Sequence, residues 1–285
     1  MFPLDPPIAA VRDAVARALA EDLLPLGDLT AALIPENAVA RAAFVAREHG
    51  VIAGRACVLE TFAQVDPVLA VEWSEADGSR VQPHTVLGTV EGPLASIVSA
   101  ERTALNFIRH LSGVATLTAR YVARAAEASA GATRIVDTRK TTPGLRALEK
   151  AAVRAGGGTN HRANLSDAVM IKDNHLAGMS IGDAVTRARQ AWPGRPVHVE
   201  CDDLDQLAEI IAAGADRAMF DNFAPALVAE GVALVAGRLE VEVTGGVSLE
   251  TIDLYAAARP DFISVGALTH SAGVLDIGLD LSEAG

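Results

Sequence analysis

The apolar pattern of the first hundred residues predicts a mixed α and β region. Ile8, Val11, Val15 and Leu19 recur with helical spacing, which predicts a helix from residue 8 to 19. The rest of this region predicts short strands at 42–46, 51–53 and 71–74. It also predicts a helix at 57–65 and a small sheet at 81–92. Two helices then follow, at 96–111 and 116–128. The pair Ser112-Gly113 between them predicts an interruption.

From residue 133 onward, short β-rich runs alternate regularly with helical runs. The predicted strands are 134–137, 168–171, 197–200, 217–220, 239–243 and 262–265, and the predicted helices are 145–155, 181–192, 204–213, 225–236 and 249–258. Such alternation predicts an α/β fold with a parallel sheet. Six units without a flanking second half favour an open, incomplete α/β barrel. No GxGxxG motif follows a strand, which disfavours a dinucleotide-binding domain.

Polar residues or glycines stand at the carboxyl end of each predicted strand. They are Asp137-Thr138-Arg139-Lys140, Lys172-Asp173-Asn174-His175, Glu200, Asp221-Asn222, Thr244-Gly245-Gly246 and Gly266-Ala267. An α/β barrel carries its active site on this face, and the late strands often bind phosphate. A single such position is compatible with an ordinary helix cap, but the whole set predicts a catalytic site.

Charge is distributed unevenly along the 285-residue chain. The formal net charge is −12, which argues against nucleic acid as the main partner, and no polybasic patch or long apolar run suggests a membrane. Residues 137–175 contain seven basic and four acidic side chains, a net charge of +3, so the rest of the chain carries −15. A basic segment in an acidic protein predicts a site for a small polyanion.

The same segment contains cations with two possible roles. Arg146, Lys150 and Arg154 share helical spacing and are expected to form ion pairs on a helix surface. The run Gly156-Gly157-Gly158 precedes Asn160-His161-Arg162, where glycines allow a close backbone approach to a ligand. His161 alone is compatible with a buried structural histidine, but its place beside Arg162 favours contact with a ligand.

Two strand-end carboxylates, Glu200 and Asp221, are expected to face the barrel mouth one βα unit apart. Carboxylates beside an anion site suit a reaction that develops positive charge, such as an oxocarbenium-like ribosyl centre, and they also bind Mg²⁺. Glu242 lies two residues before Thr244 and shares its strand face, where it can support the site.

No signal segment is expected at the amino terminus, where Met1–Pro7 is short and proline-rich. Cys57 and Cys201 lie far apart and match no metal-binding spacing. They predict reduced core thiols in a cytoplasmic protein.

The chain resembles the quinolinate phosphoribosyltransferase family, the decarboxylating enzymes of NAD biosynthesis. The resemblance is strongest over 137–175, and further motifs keep their order along nearly the whole chain. These motifs are GDLT at 27–30, AERTALN at 100–106, HLSGVAT at 110–116, MFDNF at 219–223, TGGV at 244–247 and VGALTHS at 265–271.

The resemblance implies an architecture of two domains. An N-terminal α/β sandwich is expected over 1–111, with a tail at about 276–285 returning to it, and an open α/β barrel over 112–275. It also implies a homodimer with shared active sites, or a larger assembly built from it, in which Arg102 reaches the partner's site.

The resemblance also implies which site residues are catalytic, which bind metal and which bind substrate. Glu200, Asp221 and Lys140 are expected to be catalytic, with Glu200 and Asp221 also able to hold Mg²⁺ beside the co-substrate phosphoribosyl pyrophosphate. The expected substrate-binding residues are Arg102, Thr138, Arg139, Lys140, His161, Arg162, Lys172, Glu200, Asp221, Thr244, Gly245, Gly246, Val265, Gly266 and Ala267. The implied reaction converts quinolinate and phosphoribosyl pyrophosphate to nicotinate mononucleotide, pyrophosphate and CO₂.

Three alternatives stay open at this point. The nearest is a paralogue of the same fold of the molybdenum-uptake type, against which the intact Asn160-His161-Arg162 and 172–175 segments weigh. A nicotinate-type transferase would handle a monocarboxylate, whereas the dense cation set favours a dianion. A sensor of phosphoribosyl ligands is disfavoured by the acids at the strand ends.

Overall fold

The computed structural model describes residues 4–283 and divides them into two compact units. The first unit takes in 4–119, 141–157 and 268–283, and the second takes in 120–140 and 158–267. Residues 1–3 of the predicted N-terminal entry, and residues 284 and 285 of the predicted tail, lie outside the described residues. Within residues 4–283, none of the helices has the length and apolar character that a membrane span requires.

The secondary structure alternates in the way the sequence pattern predicts. The strands are β1 (Val39–Ala46), β2 (Gly50–Val51), β3 (Ala70–Trp73), β4 (Arg80–Val81), β5 (Val86–Pro93), β6 (Arg134–Val136), β7 (Val169–Ile171), β8 (Val197–Cys201), β9 (Arg217–Asp221), β10 (Glu240–Thr244), β11 (Phe262–Ser264) and β12 (Ile277–Glu283). The α-helices are α1 (Ile8–Leu23), α2 (Arg55–Val65), α3 (Leu94–Ser129), α4 (Arg146–Ala155), α5 (Asp173–Leu176), α6 (Ile181–Ala191), α7 (Leu204–Ala213), α8 (Pro225–Val235), α9 (Ile252–Ala256) and α10 (Ala267–His270).

The first unit is built on a four-stranded antiparallel sheet in the order β12-β1-β5-β3. Alternate residues of β1 are buried, among them Phe44, and they pack with Phe62 of α2 and Ile97 and Ile108 of α3. The strand β12 pairs with β1 from Ile277 onward, so the end of the described chain completes this sheet.

The second unit contains six parallel strands in the order β6-β11-β10-β9-β8-β7. Each predicted barrel strand is present, with ends displaced by no more than one residue. The two edge strands, β6 and β7, follow each other in the chain but do not pair. The barrel is therefore open, as predicted, and the opening lies between its first and second strands.

The predicted interruption at Ser112-Gly113 is wrong, because α3 runs unbroken from Leu94 to Ser129. Ser112 Oγ exchanges hydrogen bonds with the backbone of Ala53, accepting from its N–H at 3.0 Å and donating to its carbonyl at 3.2 Å. At Gly113, a Cβ atom would lie 1.8 Å from the carbonyl oxygen of Gly273. These two residues therefore serve close packing against neighbouring backbone and do not end a helix.

The prediction that Lys150 lies on the surface of α4 is also wrong, because this residue is 3% exposed. Its neighbour Glu149 is fully buried and lies 2.9 Å from His110 Nε2 of α3. Arg154 donates to the carbonyl oxygens of Leu4 and Asp5. The reason is that α4 packs inside the first unit, which its charged sequence alone does not indicate.

The packing of Gly113 leads to a prediction about stability. Helix propensity alone favours alanine over glycine by about 1 kcal/mol. We nevertheless expect Gly113→Ala to lower the free energy of unfolding, because overpacking against a fixed backbone carbonyl costs about 1–3 kcal/mol. Gly182→Ala is the matched control in α6, since its Cβ would have nothing nearer than Ser180 Oγ at 3.8 Å. Urea unfolding of both variants would show this difference, and a Gly113→Ala protein more stable than the parent would contradict it.

Candidate active site

A cavity of about 620 Å³ opens at the carboxyl ends of the parallel strands. It is lined by Thr138, Arg139, Lys140, His161, Arg162, Met170, Lys172, Glu200, Met219, Asp221, Asn222, Glu242, Thr244, Gly245, Gly246 and Ser264. All of these residues belong to the second unit. This is the face on which a barrel with these strand ends was expected to carry its site.

Most of the predicted site residues meet in this cavity, but four do not line it. Arg102 is an exposed residue of α3 in the first unit. Val265 is buried behind the strand ends, and its N–H donates to Val136 O. Gly266 and Ala267 follow it at the start of α10.

Two guanidinium groups, those of Arg139 and Arg162, line the same cavity. Burial, and next the positive charge of Arg139, lower the pKa of the Arg162 guanidinium. Arg162 is fixed in place by hydrogen bonds from Nη1 to Ala168 O at 3.0 Å and from Nη2 to Met170 Sδ at 3.3 Å. Cations held together in this way favour binding of an anion between them.

The segment that carries Arg162 lies along the free edge of β6. Thr159 forms a parallel bridge with Val136, accepts from the N–H of Asp137 and donates to Ile135 O. Asp137 is fully buried, and its carboxylate accepts from Asn160 Nδ2 at 2.6 Å and from the His161 N–H at 2.8 Å. The opening of the barrel beside β6 is thus where this segment enters the cavity.

Behind these cations lies a buried carboxylate, Glu242. Its Oε2 is 2.7 Å from Arg217 Nη1 and 3.2 Å from His161 Nε2, the latter an ion-pair distance without the direction of a hydrogen bond. Burial alone would raise the pKa of Glu242, but the neighbouring His161 and Arg217 outweigh it, so this pKa is below its ordinary value. Glu242 is therefore ionised at neutral pH.

Two further carboxylates, Glu200 and Asp221, line the cavity from neighbouring strands, as predicted. Glu200 Oε1 accepts a hydrogen bond from Lys172 Nζ at 2.8 Å. Asp221 Oδ2 accepts from Asn222 Nδ2 at 3.1 Å. Because β8 and β9 are parallel neighbours, both acids project at the same edge of the sheet.

The turn after β10 needs its glycines. Gly245 and Gly246 have positive φ angles of 84° and 63°. A Cβ at Gly245 would lie 2.3 Å from Asn222 Oδ1 and 2.9 Å from Asp221 Oδ1, whereas at Gly246 the nearest atom would be 3.9 Å away. The turn therefore presents bare backbone to the cavity, a form that suits phosphate oxygens.

Several residues of the site were not predicted from the sequence. They are Met170, Met219 and Ser264 in the cavity lining, and Arg217 and His198 in the layer below it. His198 is buried, and burial followed by the charge of Arg217 lowers its pKa to about 4. Strand alternation was the available signal, because Met170, His198 and Met219 each lie two residues before a predicted site residue.

The fold and the site together define a class of protein. An open parallel barrel whose mouth combines paired guanidinium groups, a Gly-Gly turn and two carboxylates is suited to enzymes that act on phosphorylated, anionic substrates. Comparison with known proteins identifies one family within this class.

Two family models match the chain, the N-terminal domain of quinolinate phosphoribosyl transferase over residues 28–112 and its C-terminal domain over 114–280. The nicotinate-nucleotide pyrophosphorylase [carboxylating] of Mycobacterium leprae is 42% identical over 95% of this chain and 97% of that protein. Quinolinate phosphoribosyltransferase [decarboxylating] 1 of Nicotiana glauca is 39% identical over 96% and 83%. The nicotinate-nucleotide pyrophosphorylase structure from Francisella tularensis has a TM-score of 0.93 at 37% identity, over 98% of each chain. The chain belongs to the quinolinate phosphoribosyltransferase family.

The glycine turn gives a prediction with an internal control. Gly245→Ala and Gly246→Ala both force alanine into a left-handed conformation, which costs about 1–2 kcal/mol of stability in each. Only Gly245→Ala also displaces Asn222 and the Asp221 carboxylate. We expect similar unfolding free energies but a much larger loss of transferase kcat in Gly245→Ala. Equal kcat values in the two variants would show that the space at Gly245 is not needed for catalysis.

Proposed function

We propose that the chain transfers the phosphoribosyl group of phosphoribosyl pyrophosphate to quinolinate and releases pyrophosphate and CO₂. The product is nicotinate mononucleotide, a precursor of NAD. The observation that carries this proposal is that four cationic side chains line one cavity, those of Arg139, Lys140, Arg162 and Lys172. A pyridine dicarboxylate matches this concentration of cations better than a monocarboxylate does.

The residues of the cavity divide into three groups by their chemistry. Arg139, Arg162 and Lys172, with Lys140 nearby, bind the two carboxylates of quinolinate. Glu200 and Asp221 face the ribose and stabilise the positive charge that develops at its anomeric carbon. The backbone of the turn Thr244–Gly246, reinforced by the Thr244 hydroxyl, binds the 5′-phosphate.

The reaction follows from this arrangement in two steps. The pyridine nitrogen uses its lone pair to form the bond to the anomeric carbon, while the bond from that carbon to the pyrophosphate oxygen breaks. The ring nitrogen is now positively charged, so the electron pair of the C2–carboxylate bond can remain on C2 as CO₂ leaves. C2 then takes a proton from solvent water. The protein contributes positioning and electrostatics, with no covalent nucleophile.

Magnesium is part of the proposal as a partner of pyrophosphate. Among residues 4–283, no three histidine, cysteine, aspartate or glutamate side chains form a metal cluster. Glu200 and Asp221 supply at most two ligands, which fits the way Mg²⁺ binds through one or two carboxylates together with substrate phosphates. When bound, Mg²⁺ would neutralise charge on the leaving pyrophosphate.

We also propose a homodimer with shared sites in the cytoplasm. Leu24, Leu26, Leu29 and Leu33 are all more than two-thirds exposed, which is unusual unless a second copy covers them. The segment that carries them is fixed to α3 on both sides of Arg102, because Asp22 accepts from Thr103 Oγ1 at 3.4 Å and Asp28 from Ser99 Oγ at 3.0 Å. An interface here would present Arg102 to the partner. The buried free thiols of Cys57 and Cys201 suit a reducing compartment.

The activity is tested most simply by its products. The enzyme is incubated with Mg²⁺, phosphoribosyl pyrophosphate and quinolinate labelled in the 2-carboxylate. We expect labelled CO₂ and nicotinate mononucleotide in equal amounts, and no mononucleotide when nicotinate replaces quinolinate. Mononucleotide from nicotinate alone would indicate a transferase for monocarboxylates. Binding without turnover would indicate a sensor, and no reaction with either pyridine acid would favour the molybdenum-uptake paralogue.

The shared site is tested by mixing two inactive variants. Arg102→Ala removes the residue that a subunit is proposed to contribute to its partner's site. Lys172→Ala removes a residue of the site in the subunit's own barrel. After subunit exchange, half of the dimers are mixed and each holds one intact site, so we expect about a quarter of the parent activity. The matched control mixes Arg139→Ala with Lys172→Ala. Both lesions are then in the barrel, and every site keeps one of them. Recovery in the control, or demonstrated exchange without recovery in the first mixture, would rule out the shared site.

A further inference from the structure

The residue that follows β9, Asn222, has a backbone conformation that few side chains tolerate. Its φ angle is 56°, in the left-handed region, where asparagine is one of the few residues other than glycine that occur often. Its N–H donates to Thr244 O at 2.9 Å, one residue beyond the last pair of β9 and β10, in which Asp221 lies opposite Thr244. The chain after β9 is therefore fixed to the end of β10 at Asn222.

The side-chain amide of Asn222 turns back to the residue before it. Its Nδ2 donates to Asp221 Oδ2 at 3.1 Å. Its Oδ1 lies beside Gly245, where a Cβ atom would stand only 2.3 Å away. Because the glycine leaves room for Oδ1, the amide nitrogen can face the carboxylate. The reverse orientation would set the amide oxygen against the carboxylate oxygen.

The two acids of the cavity are held in different ways. Glu200 is paired with the Lys172 ammonium at 2.8 Å, so much of its charge is neutralised within the protein. Among residues 4–283, Asp221 forms no such ion pair, and the Asn222 amide is the one donor of a hydrogen bond to its carboxylate. A neutral amide fixes Oδ2 without adding a positive charge. Asp221 therefore presents an oriented carboxylate that still has its full negative charge.

This difference matters for a reaction that creates positive charge. Under the proposed function, positive charge develops at the anomeric carbon as pyrophosphate leaves. A carboxylate that is already oriented stabilises that charge without reorganisation during the reaction. Position 222 then has two requirements, a left-handed backbone and a hydrogen-bond donor without charge. Asparagine meets both, whereas aspartate lacks the donor and glycine lacks the side chain.

We propose that Asn222 is a positioning residue that fixes the Asp221 carboxylate, without neutralising it, for the ribose of phosphoribosyl pyrophosphate. It acts on the reaction through Asp221. This inference rests on the proposed function for the identity of the reaction. The orientation of the carboxylate itself is a property of the protein without substrates.

The orientation can therefore be tested without any activity. Crystal structures of the unmodified enzyme and of Asn222→Gly, both without substrates, would show the Asp221 carboxylate directly. Glycine accepts the left-handed backbone, so the substitution removes the amide and leaves the chain path unchanged. We expect one conformation of the Asp221 carboxylate in the unmodified enzyme, and a displaced carboxylate or several conformations in the variant. An unmoved, singly ordered carboxylate in Asn222→Gly would overturn the proposal.

Two matched substitutions distinguish positioning from a structural role. Asn222→Gly removes the donor, and Asn222→Asp replaces it with a carboxylate of the same shape, while both residues tolerate the left-handed backbone. We expect kcat to fall roughly tenfold in Asn222→Gly, as for the loss of a hydrogen bond to a charged group. We expect a larger fall in Asn222→Asp, because two adjacent carboxylates repel each other. The quinolinate KM should change little in either variant.

A purely structural role predicts the opposite order. If Asn222 only filled the space beside Gly245, Asn222→Asp would keep the shape and would be the more active of the two variants. That order of kcat values, or parent activity in both variants, would contradict the proposal.

A double substitution shows whether Asn222 acts through Asp221. In an Asp221→Asn background, we expect Asn222→Gly to lower kcat by no more than about twofold, because the group that it positions has already been changed. The same tenfold loss in both backgrounds would show that Asn222 acts independently of Asp221.

The outcomes separate this inference from the proposed function. If the unmodified enzyme makes no nicotinate mononucleotide, the proposed function fails, while the two crystal structures still decide whether Asn222 fixes Asp221. If Asn222→Gly does not fold, the same comparison with Asn222→Asp decides it, because repulsion is expected to turn the Asp221 carboxylate away from residue 222. An Asp221 carboxylate that keeps its orientation there would overturn the inference.

Discussion

The repulsion between Arg139 and Arg162 is the interaction on which the rest of the site depends. Two like-charged guanidiniums that line one cavity raise each other's electrostatic energy, and after burial the charge of Arg139 is the second cause of the lowered Arg162 pKa. Such a pair is not expected to form from a flexible loop, because the side chains would simply move apart. The structure prevents this by anchoring Arg162 to Ala168 and Met170, and by holding the preceding segment with the buried carboxylate of Asp137. Under the proposed function, a dicarboxylate bound between the two guanidiniums would relieve this repulsion.

The open barrel explains how this crowding is built. A parallel sheet brings the carboxyl ends of its strands to one edge, so residues far apart in the sequence, such as Lys172 and Asp221, share one cavity. The gap between β6 and β7 also allows a loop segment to enter the cavity, which a closed barrel would not allow. It leaves β6 with a free edge, and the segment around Thr159 pairs there before His161 and Arg162 reach the cavity. Under that mouth, Glu242, Arg217 and His198 form a polar layer where apolar side chains usually fill a barrel.

Much of this arrangement could be predicted from the sequence, and there are physical reasons why the other features could not be predicted. Strand-helix alternation located all six barrel strands, because period-2 and period-3.6 patterns are local properties of the chain. Gly113 was wrongly predicted to break a helix. A glycine is needed there because the backbone of Gly273, 160 positions further along the chain, packs against it. Lys150 was misplaced on a surface because a charged side chain buried with partners has the same local pattern as an exposed one. The approach of His161 to Glu242, at 3.2 Å from another part of the chain, depends on the tertiary structure, which no spacing rule reports.

We propose that the cavity binds two carboxylates on one ring. Isothermal titration calorimetry with quinolinate, nicotinate and picolinate tests it directly, because the last two each lack one of the carboxylates. A charge-paired carboxylate in a partly buried site contributes about 2 kcal/mol or more, so quinolinate is predicted to bind at least about 30-fold more tightly than either monocarboxylate. Arg139→Ala should remove most of this preference, while Arg187→Ala, at an exposed position of α6, should retain it. Equal affinities of the unmodified enzyme for all three pyridine acids would contradict the account.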